Sequence, residues 1–300
     1  MKNKKLAFLF PGQGSQYRGM GKNIYNKYKI VREIYDKTSD ILDYDLKKIS
    51  FNPQNSDINR TKYTQPAILT YNIAIFKILQ KLNYSPNCVA GHSLGEFSAL
   101  VSINCIDFKD ALTIIKIRAE EMEKCGINRP GKMVALINFS YEKINEIFSN
   151  VKGTAVIANI NSNKQTIISG DSITIDSIIE FCKKNKLRGV IPLNVSGAFH
   201  SPLMKKAKIS LEKIIKKTKF NDVKIPIYQN YTAKSNTLGN VIKKNLINQI
   251  TSPVLWLDTV NNIVNDSITN HVEVGPGNVL KNLNKNINKD IYNIDYTRLI

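Results

Sequence analysis

The chain has 300 residues, 42% of them apolar, enough to bury a large core as one big domain or as a domain carrying an insertion. Its formal net charge is +19, yet only seven of its 43 basic residues are arginine; the lysines are scattered among Asn and Ile, as A/T-rich codons alone would produce. No RNP-like aromatic motif or helix-turn-helix signal accompanies the charge, which argues against nucleic acid and leaves a basic surface suited to an acidic protein partner.

The chain opens with Met1-Lys-Asn-Lys-Lys and then five apolar residues, Leu6 to Phe10, stopped by Pro11-Gly12. That run is too short for a signal-peptide core, and no later stretch is long enough to span a bilayer, so a cytoplasmic protein is expected. Leu6 to Phe10 is apolar on both faces, as a central parallel strand should be. The next loop, Pro11-Gly12-Gln13-Gly14-Ser15-Gln16, fails as a dinucleotide fingerprint because Tyr17 stands where the third glycine belongs. An uneven helical stretch comes after it. From Gln65-Pro66 the spacing of Ile68, Tyr71, Ile75 and Leu79 predicts a helix, with Pro66 in its first turn.

Cys88-Val89-Ala90 reads as a short buried strand and runs into Gly91-His92-Ser93-Leu94-Gly95. Leu94, Phe97 and Val101 then recur at helical spacing, so a helix begins at or just past the serine. Strand, sharp turn at a serine, and helix together make a nucleophile elbow. The helix N-terminus aims free N–H groups and a positive dipole end at the same spot. A further helix is predicted from about Phe108 to Lys124.

Between Gly131 and Val195 the predicted order is strand (Met133 to Ile137), helix (Tyr141 to Asn150) and strand (Thr154 to Ala158), then strand (Thr166 to Ser169), helix (Ile173 to Asn185) and strand (Val190 to Leu193). This βαββαβ order is the ferredoxin-like pattern. Afterwards come a strand from Ile225 to Asn230, a helix near Val241 to Ile250, and the strand His271 to Val274 before Gly275-Pro276-Gly277. The expected architecture is an α/β core with a small ferredoxin-like domain inserted between its halves. Four cysteines (Cys88, Cys105, Cys125, Cys182) lack CxxC spacing and clustered histidines, so reduced, buried thiols are expected, with neither zinc nor a disulfide framework.

A nucleophilic serine needs a base, and the chain holds three histidines. His92 adjoins Ser93 in a tight turn where consecutive side chains diverge, so it is placed to orient the elbow or line the pocket. His271 opens an apolar strand and reads as structural. His200, in Ser196-Gly197-Ala198-Phe199-His200-Ser201-Pro202, lies in a loop after the inserted segment and is the candidate base. No Asp or Glu stands out in a loop at a strand end between Ser93 and His200; a backbone carbonyl can fix the histidine tautomer instead, so that a dyad suffices. Arg118 shares a helix face with Ala111, Ile114, Ile115 and Met122. A charge on an apolar stripe must find an anion, either a carboxylate elsewhere in the fold or a substrate carboxylate gripped by the guanidinium fork.

Phe10-Pro-Gly-Gln-Gly-Ser-Gln16, Thr64-Gln-Pro-Ala67, Gly91-His-Ser-Leu-Gly-Glu96, Arg118, Gly197-Ala-Phe-His-Ser201, Gln249 and Glu273-Val-Gly-Pro-Gly277 stand in one order. Together they resemble the malonyl-CoA:acyl carrier protein transacylases of type II fatty acid synthesis, across essentially the whole chain. The resemblance implies an α/β-hydrolase-like core with a parallel sheet (1–128 and 197–300) and a ferredoxin-like insert (129–196). It implies Ser93 as the acylated nucleophile, His200 as its base, and Gln249 as the residue whose backbone carbonyl holds the histidine. Backbone N–H groups of Gln13 and Leu94 would form the oxyanion hole. Arg118 would hold the malonyl carboxylate, Gln65 and His92 would line the pocket, and Phe199 would narrow the space beside the α-carbon.

The same resemblance implies ping-pong transfer of malonyl from malonyl-CoA to holo acyl carrier protein, through a malonyl-serine ester. No cofactor or metal is called for, no membrane or nucleic acid is involved, and a monomer is expected. A serine hydrolase or thioesterase on the same core would use the elbow and His200 equally well, but gives Arg118 no task.

Overall fold

A computed structural model describes residues 4–300; the first three residues of the predicted basic N-terminus lie outside it. Ten strands divide between two sheets among the described residues. The first sheet holds β1 (Leu6–Phe10), β2 (Cys88–Gly91), β7 (Ile227–Tyr228), β8 (Ser235–Asn236), β9 (Asn270–Glu273) and β10 (Tyr292–Ile294). The second holds β3 (Gly131–Ile137), β4 (Ala155–Ser162), β5 (Gln165–Asp171) and β6 (Val190–Pro192).

The first sheet runs β10-β9-β1-β2-β7-β8, parallel throughout except for the last pair. The doubly apolar sequence of β1 is explained by its central place. Leu6, Phe8 and Phe10 face one apolar cluster with the helices Thr61–Lys81, Gly95–Ser102 and Phe108–Asn128, while Ala7 and Leu9 face another with Trp256, Val260 and Ile263. Every side chain of the strand is therefore withdrawn from water. Register pairs Phe10 with Gly91, so the β1 loop and the β2 turn emerge side by side.

The second sheet runs β4-β5-β3-β6, with every neighbouring pair antiparallel. Val134, Leu136 and Ile168 on one face pack under helices Tyr141–Asn150 and Ser172–Lys184. Met133, Ala135 and Ile167 on the other face join the main core. The chain leaves for this sheet after Asn128 and returns at Ser196, and the two crossings touch. A Cβ on Gly126 would sit 1.9 Å from the Ser196 carbonyl oxygen, so glycine alone permits the approach.

Several elements differ from the sequence expectation. Helix Thr61–Lys81 starts one turn earlier than predicted, so Pro66 is an interior residue. Its missing N–H forgoes only the bond to the Lys62 carbonyl, near an end where Arg60 O already accepts from Tyr63 and Thr64. The strand expected over Ile225 to Asn230 keeps only two ladder residues, because the Asn230 N–H turns away to the Glu96 carboxylate. Helices Lys205–Lys217, Trp256–Asn265 and Val279–Asn284 have no counterpart in the sequence expectation. All four cysteines are free and buried. Among the described residues no helix is long and apolar enough to cross a membrane.

Candidate active site

The turn between β2 and helix Gly95–Ser102 holds Ser93 at φ +52°, in the left-handed region. That conformation costs a non-glycine residue on the order of 1–3 kcal/mol and must be imposed by its surroundings. The flanking glycines permit it: a Cβ on Gly91 would lie 2.0 Å from the Gly95 carbonyl carbon. Strand and helix can meet at so tight an angle only without that atom.

Ser93 Oγ lies 2.8 Å from His200 Nε2. On its far side, His200 Nδ1 faces the carbonyl oxygens of Gln249 and Ser252 at 3.0 and 3.2 Å. Those oxygens accept the Nδ1 proton and leave Nε2 free to take one from the serine. His200 itself adopts φ +56° in the loop after Phe199. Burial, reinforced by the nearby Arg118 charge and by His92, pushes the His200 pKa down to about 3, against the pull of the two carbonyls.

Arg118 is 1% exposed and projects from helix Phe108–Asn128 toward the same serine. Its guanidinium donates to Gln65 Oε1 at 2.7 Å, Ser93 Oγ at 3.0 Å and Gln249 Oε1 at 3.5 Å, while Nε has no protein partner. Among the described residues no carboxylate oxygen comes within 4.0 Å of it. Burial lowers its pKa to about 10, with Glu96 opposing, so it stays charged at neutral pH. Two amide oxygens, a hydroxyl and the face of Phe97, 5.8 Å away, hold this buried cation, and its fork can still take an anion.

Ser93, His200, Arg118, Gln13, His92 and Phe199 converge on one cavity of about 210 Å³, walled elsewhere by Met122, Met133, Ala135 and Ile167. The two sheets thus share the site, since the second supplies its apolar wall. His92 Nε2 bonds Asn161 Oδ1 at 2.8 Å across that junction. Gln65, expected on the pocket wall, lies one layer behind, fixed between Arg118 and the Met122 sulfur. Leu94 and Gln249 also stand off the lining. The N–H groups of Gln13 and Leu94 donate to no protein acceptor among the described residues. A larger groove of about 590 Å³ between Ile34, Ile73 and Phe108 contains none of these groups.

Four polar residues around the site are given no role by the sequence: Asn161, Asn230, Ser252 and Glu96, the last named only as the end of the serine motif. Glu96 carried a signal, as the one charged residue of helix Gly95–Ser102, all of whose residues are buried. Ser252 acts through its backbone carbonyl and carried none.

A family model described as an acyl transferase domain matches residues 7–300. The malonyl CoA-acyl carrier protein transacylase of Staphylococcus aureus is 35% identical over 290 residues, covering 96% of this chain and 94% of that protein. The crystal structure of an acyl carrier protein S-malonyltransferase from Vibrio cholerae matches with a TM-score of 0.91 at 34% identity, over 97% of this chain and 96% of that one. A malonyl-transacylase in complex with its type II PKS acyl-carrier protein matches with a TM-score of 0.92 at 31% identity, over 97% and 96% of the two chains. The chain therefore belongs to the malonyl CoA-acyl carrier protein transacylase family and is an acyltransferase.

Proposed function

We propose that this protein moves malonyl from malonyl-CoA to the phosphopantetheine thiol of acyl carrier protein by a ping-pong route through a malonyl-Ser93 ester. The observation that carries the reading is Arg118, a buried guanidinium without a carboxylate partner, 3.0 Å from the serine oxygen. A plain hydrolase of uncharged esters has no use for it. The cavity supports a short acyl group, being smaller than the roughly 300–1,000 Å³ of sites for drug-sized ligands.

In the first half-reaction His200 Nε2 takes the Ser93 proton while Oγ attacks the thioester carbonyl. The Gln13 and Leu94 N–H groups receive the oxyanion. The C–S bond then breaks, and the coenzyme A sulfur leaves with the proton from His200. In the second, the carrier thiol gives its proton to His200 and attacks the ester carbonyl, and the C–O bond breaks as Ser93 regains its proton. Gln249 O keeps the imidazole aligned, Arg118 holds the malonyl carboxylate, His92 shapes the pocket, Gln65 steadies Arg118 from behind, and Phe199 limits the pocket's width at the α-carbon.

On this reading residues 1–128 and 197–300 form an α/β-hydrolase-like core, and residues 129–196 a ferredoxin-like insert. The strand order β4-β5-β3-β6 supports the insert, and the +19 charge supports attraction of an acidic carrier. The protein acts as a monomer in the cytoplasm, in keeping with its free, buried thiols.

Intact-mass measurement after incubation with malonyl-CoA tests the reading. A malonyl adduct that discharges on adding holo acyl carrier protein is expected. Release of coenzyme A with no adduct and no carrier product would make this a hydrolase instead.

A pH profile tests the base. Only unprotonated His200 can accept the serine proton, so activity is lost as pH falls through its pKa. With that value near 3, kcat/KM for malonyl-CoA should stay level between about pH 8 and 5. A limb near the ordinary histidine value of 6.5 that persists in Glu96→Gln, which removes the other buried acid beside the serine, would contradict the buried, neutral imidazole.

A further inference from the structure

We propose that Asn230 and Glu96 are positioning residues for the acyl transfer: Asn230 clips the strained serine turn, and Glu96 ties that clip to the segment holding the histidine. The inference rests on the proposed roles of Ser93 and His200.

Asn230 comes just after β7, beside the end of β2. Its Oδ1 accepts from the Ser93 N–H at 2.6 Å, and its Nδ2 donates to the Gly91 carbonyl, also at 2.6 Å. One primary amide thus bridges the backbone on both sides of His92, closing a ring around the turn that holds Ser93 at positive φ. Its orientation is forced, because Ser93 N–H can only donate and Gly91 O can only accept.

Glu96 lies in the first turn of the helix after the serine and is 1% exposed. Its Oε2 accepts from the Asn230 N–H at 2.9 Å and from Gln249 Nε2 at 3.0 Å; its Oε1 accepts from Gln229 Nε2 at 3.0 Å. All three neighbours donate, so the site suits a carboxylate and no donor in its place; burial pushes its pKa up, and these donors with the nearby Arg118 charge oppose that rise. Gln229 cannot flip to relieve a mismatch. Its Oε1 already accepts from Asn236 and Asn245, and its Nε2 also donates to the Ile242 carbonyl. Gln249, the third donor, also gives a bond to the Ser93 carbonyl at 3.0 Å, while its own carbonyl faces His200 Nδ1. One carboxylate therefore joins both supports of the nucleophile to the support of the base. Neither Glu96 nor Asn230 lines the cavity, so neither touches substrate.

The test uses full-length Asn230→Ala and Glu96→Gln. Asn230→Ala removes only the clip and keeps the backbone bond to Glu96, so it serves if Glu96→Gln fails to fold. A misplacement near 1 Å costs about 10²-fold, and single-turnover acylation by malonyl-CoA should fall by about that factor while KM stays within about threefold. The rate at which a fluorophosphonate modifies Ser93 should fall in parallel, since that reagent has no carboxylate for Arg118. Ile263→Val, in the apolar cluster on the opposite face of the first sheet, controls for lost stability and should leave both rates alone. Acylation within threefold of wild type in Asn230→Ala, or a rise in KM alone, would overturn the inference. If wild type forms no malonyl adduct, the parent reading fails instead, and the fluorophosphonate rates alone decide the positioning claim.

Discussion

Ser93→Ala should lower the turnover of malonyl transfer by about 10³-fold or more and His200→Ala by about 10²–10⁴-fold, and the double variant should be no worse than the worse single. On the proposed mechanism the 2.8 Å contact makes oxygen and imidazole a single proton-transfer unit. Remove the serine and there is no ester to form. Remove the imidazole and the hydroxyl must lose its proton unaided, which forfeits about 10²–10⁴-fold. Once either half is gone the other has nothing to act on, so their costs do not add. Steady-state carrier acylation gives the rates, and intact mass shows whether an adduct accumulates. A loss under tenfold in His200→Ala would mean that the contact is not the proton path. Costs that multiply in the double variant would mean that the two residues act separately.

The turn at Ser93 is legible in the sequence because its causes are local. A short apolar strand, two glycines and a helical repeat lie within a few residues, and each constrains the same backbone angle. His200 is legible by scarcity, since His271 Nε2 is occupied by the Ile268 carbonyl at 3.0 Å in an apolar layer. What steadies His200 is a different matter. Two main-chain carbonyls, from Gln249 and Ser252, hold it, and a carbonyl carries no side-chain signature. The Gln249 contact is implied by the family resemblance, not by pattern. An acid sought only in loops between serine and histidine also passes over Glu96, which hides on the helix that carries the turn.

The mixed α/β layout, with one parallel and one antiparallel sheet, is likewise readable from the alternation of apolar strands with helical repeats. The missing pieces share a physical cause. Helix Lys205–Lys217 has a regular buried stripe of Ala207, Leu211 and Ile215, but abundant lysine makes the segment look like a solvated loop. Helix Trp256–Asn265 buries Trp256, Val260 and Ile263 at similar spacing over only ten residues, near the lower limit for a periodic signal. Strand β10 has three residues and a single neighbour, too few for any period to show.

Arg118→Ala should cut kcat/KM for malonyl-CoA by about 10²–10³-fold while acetyl-CoA changes by less than about tenfold. The buried guanidinium fork offers a carboxylate two charged hydrogen bonds, worth about 3–4 kcal/mol together. Acetyl has no carboxylate and loses only the lesser contact between Arg118 and Ser93 Oγ at 3.0 Å. Arg118→Lys should fall between, since a point charge cannot make the paired bonds. A second readout separates this role from mere support of the fold. Arg118 is the largest charged influence holding the His200 pKa down, so removing it should move the acid limb of the rate profile upward from about 3. Burial still acts on the imidazole, so the limb should stay below 6.5; in Arg118→Lys, where the charge persists, it should remain low. Equal losses for malonyl and acetyl with an unmoved limb would make Arg118 a structural cation, and the preference for malonyl would need another source.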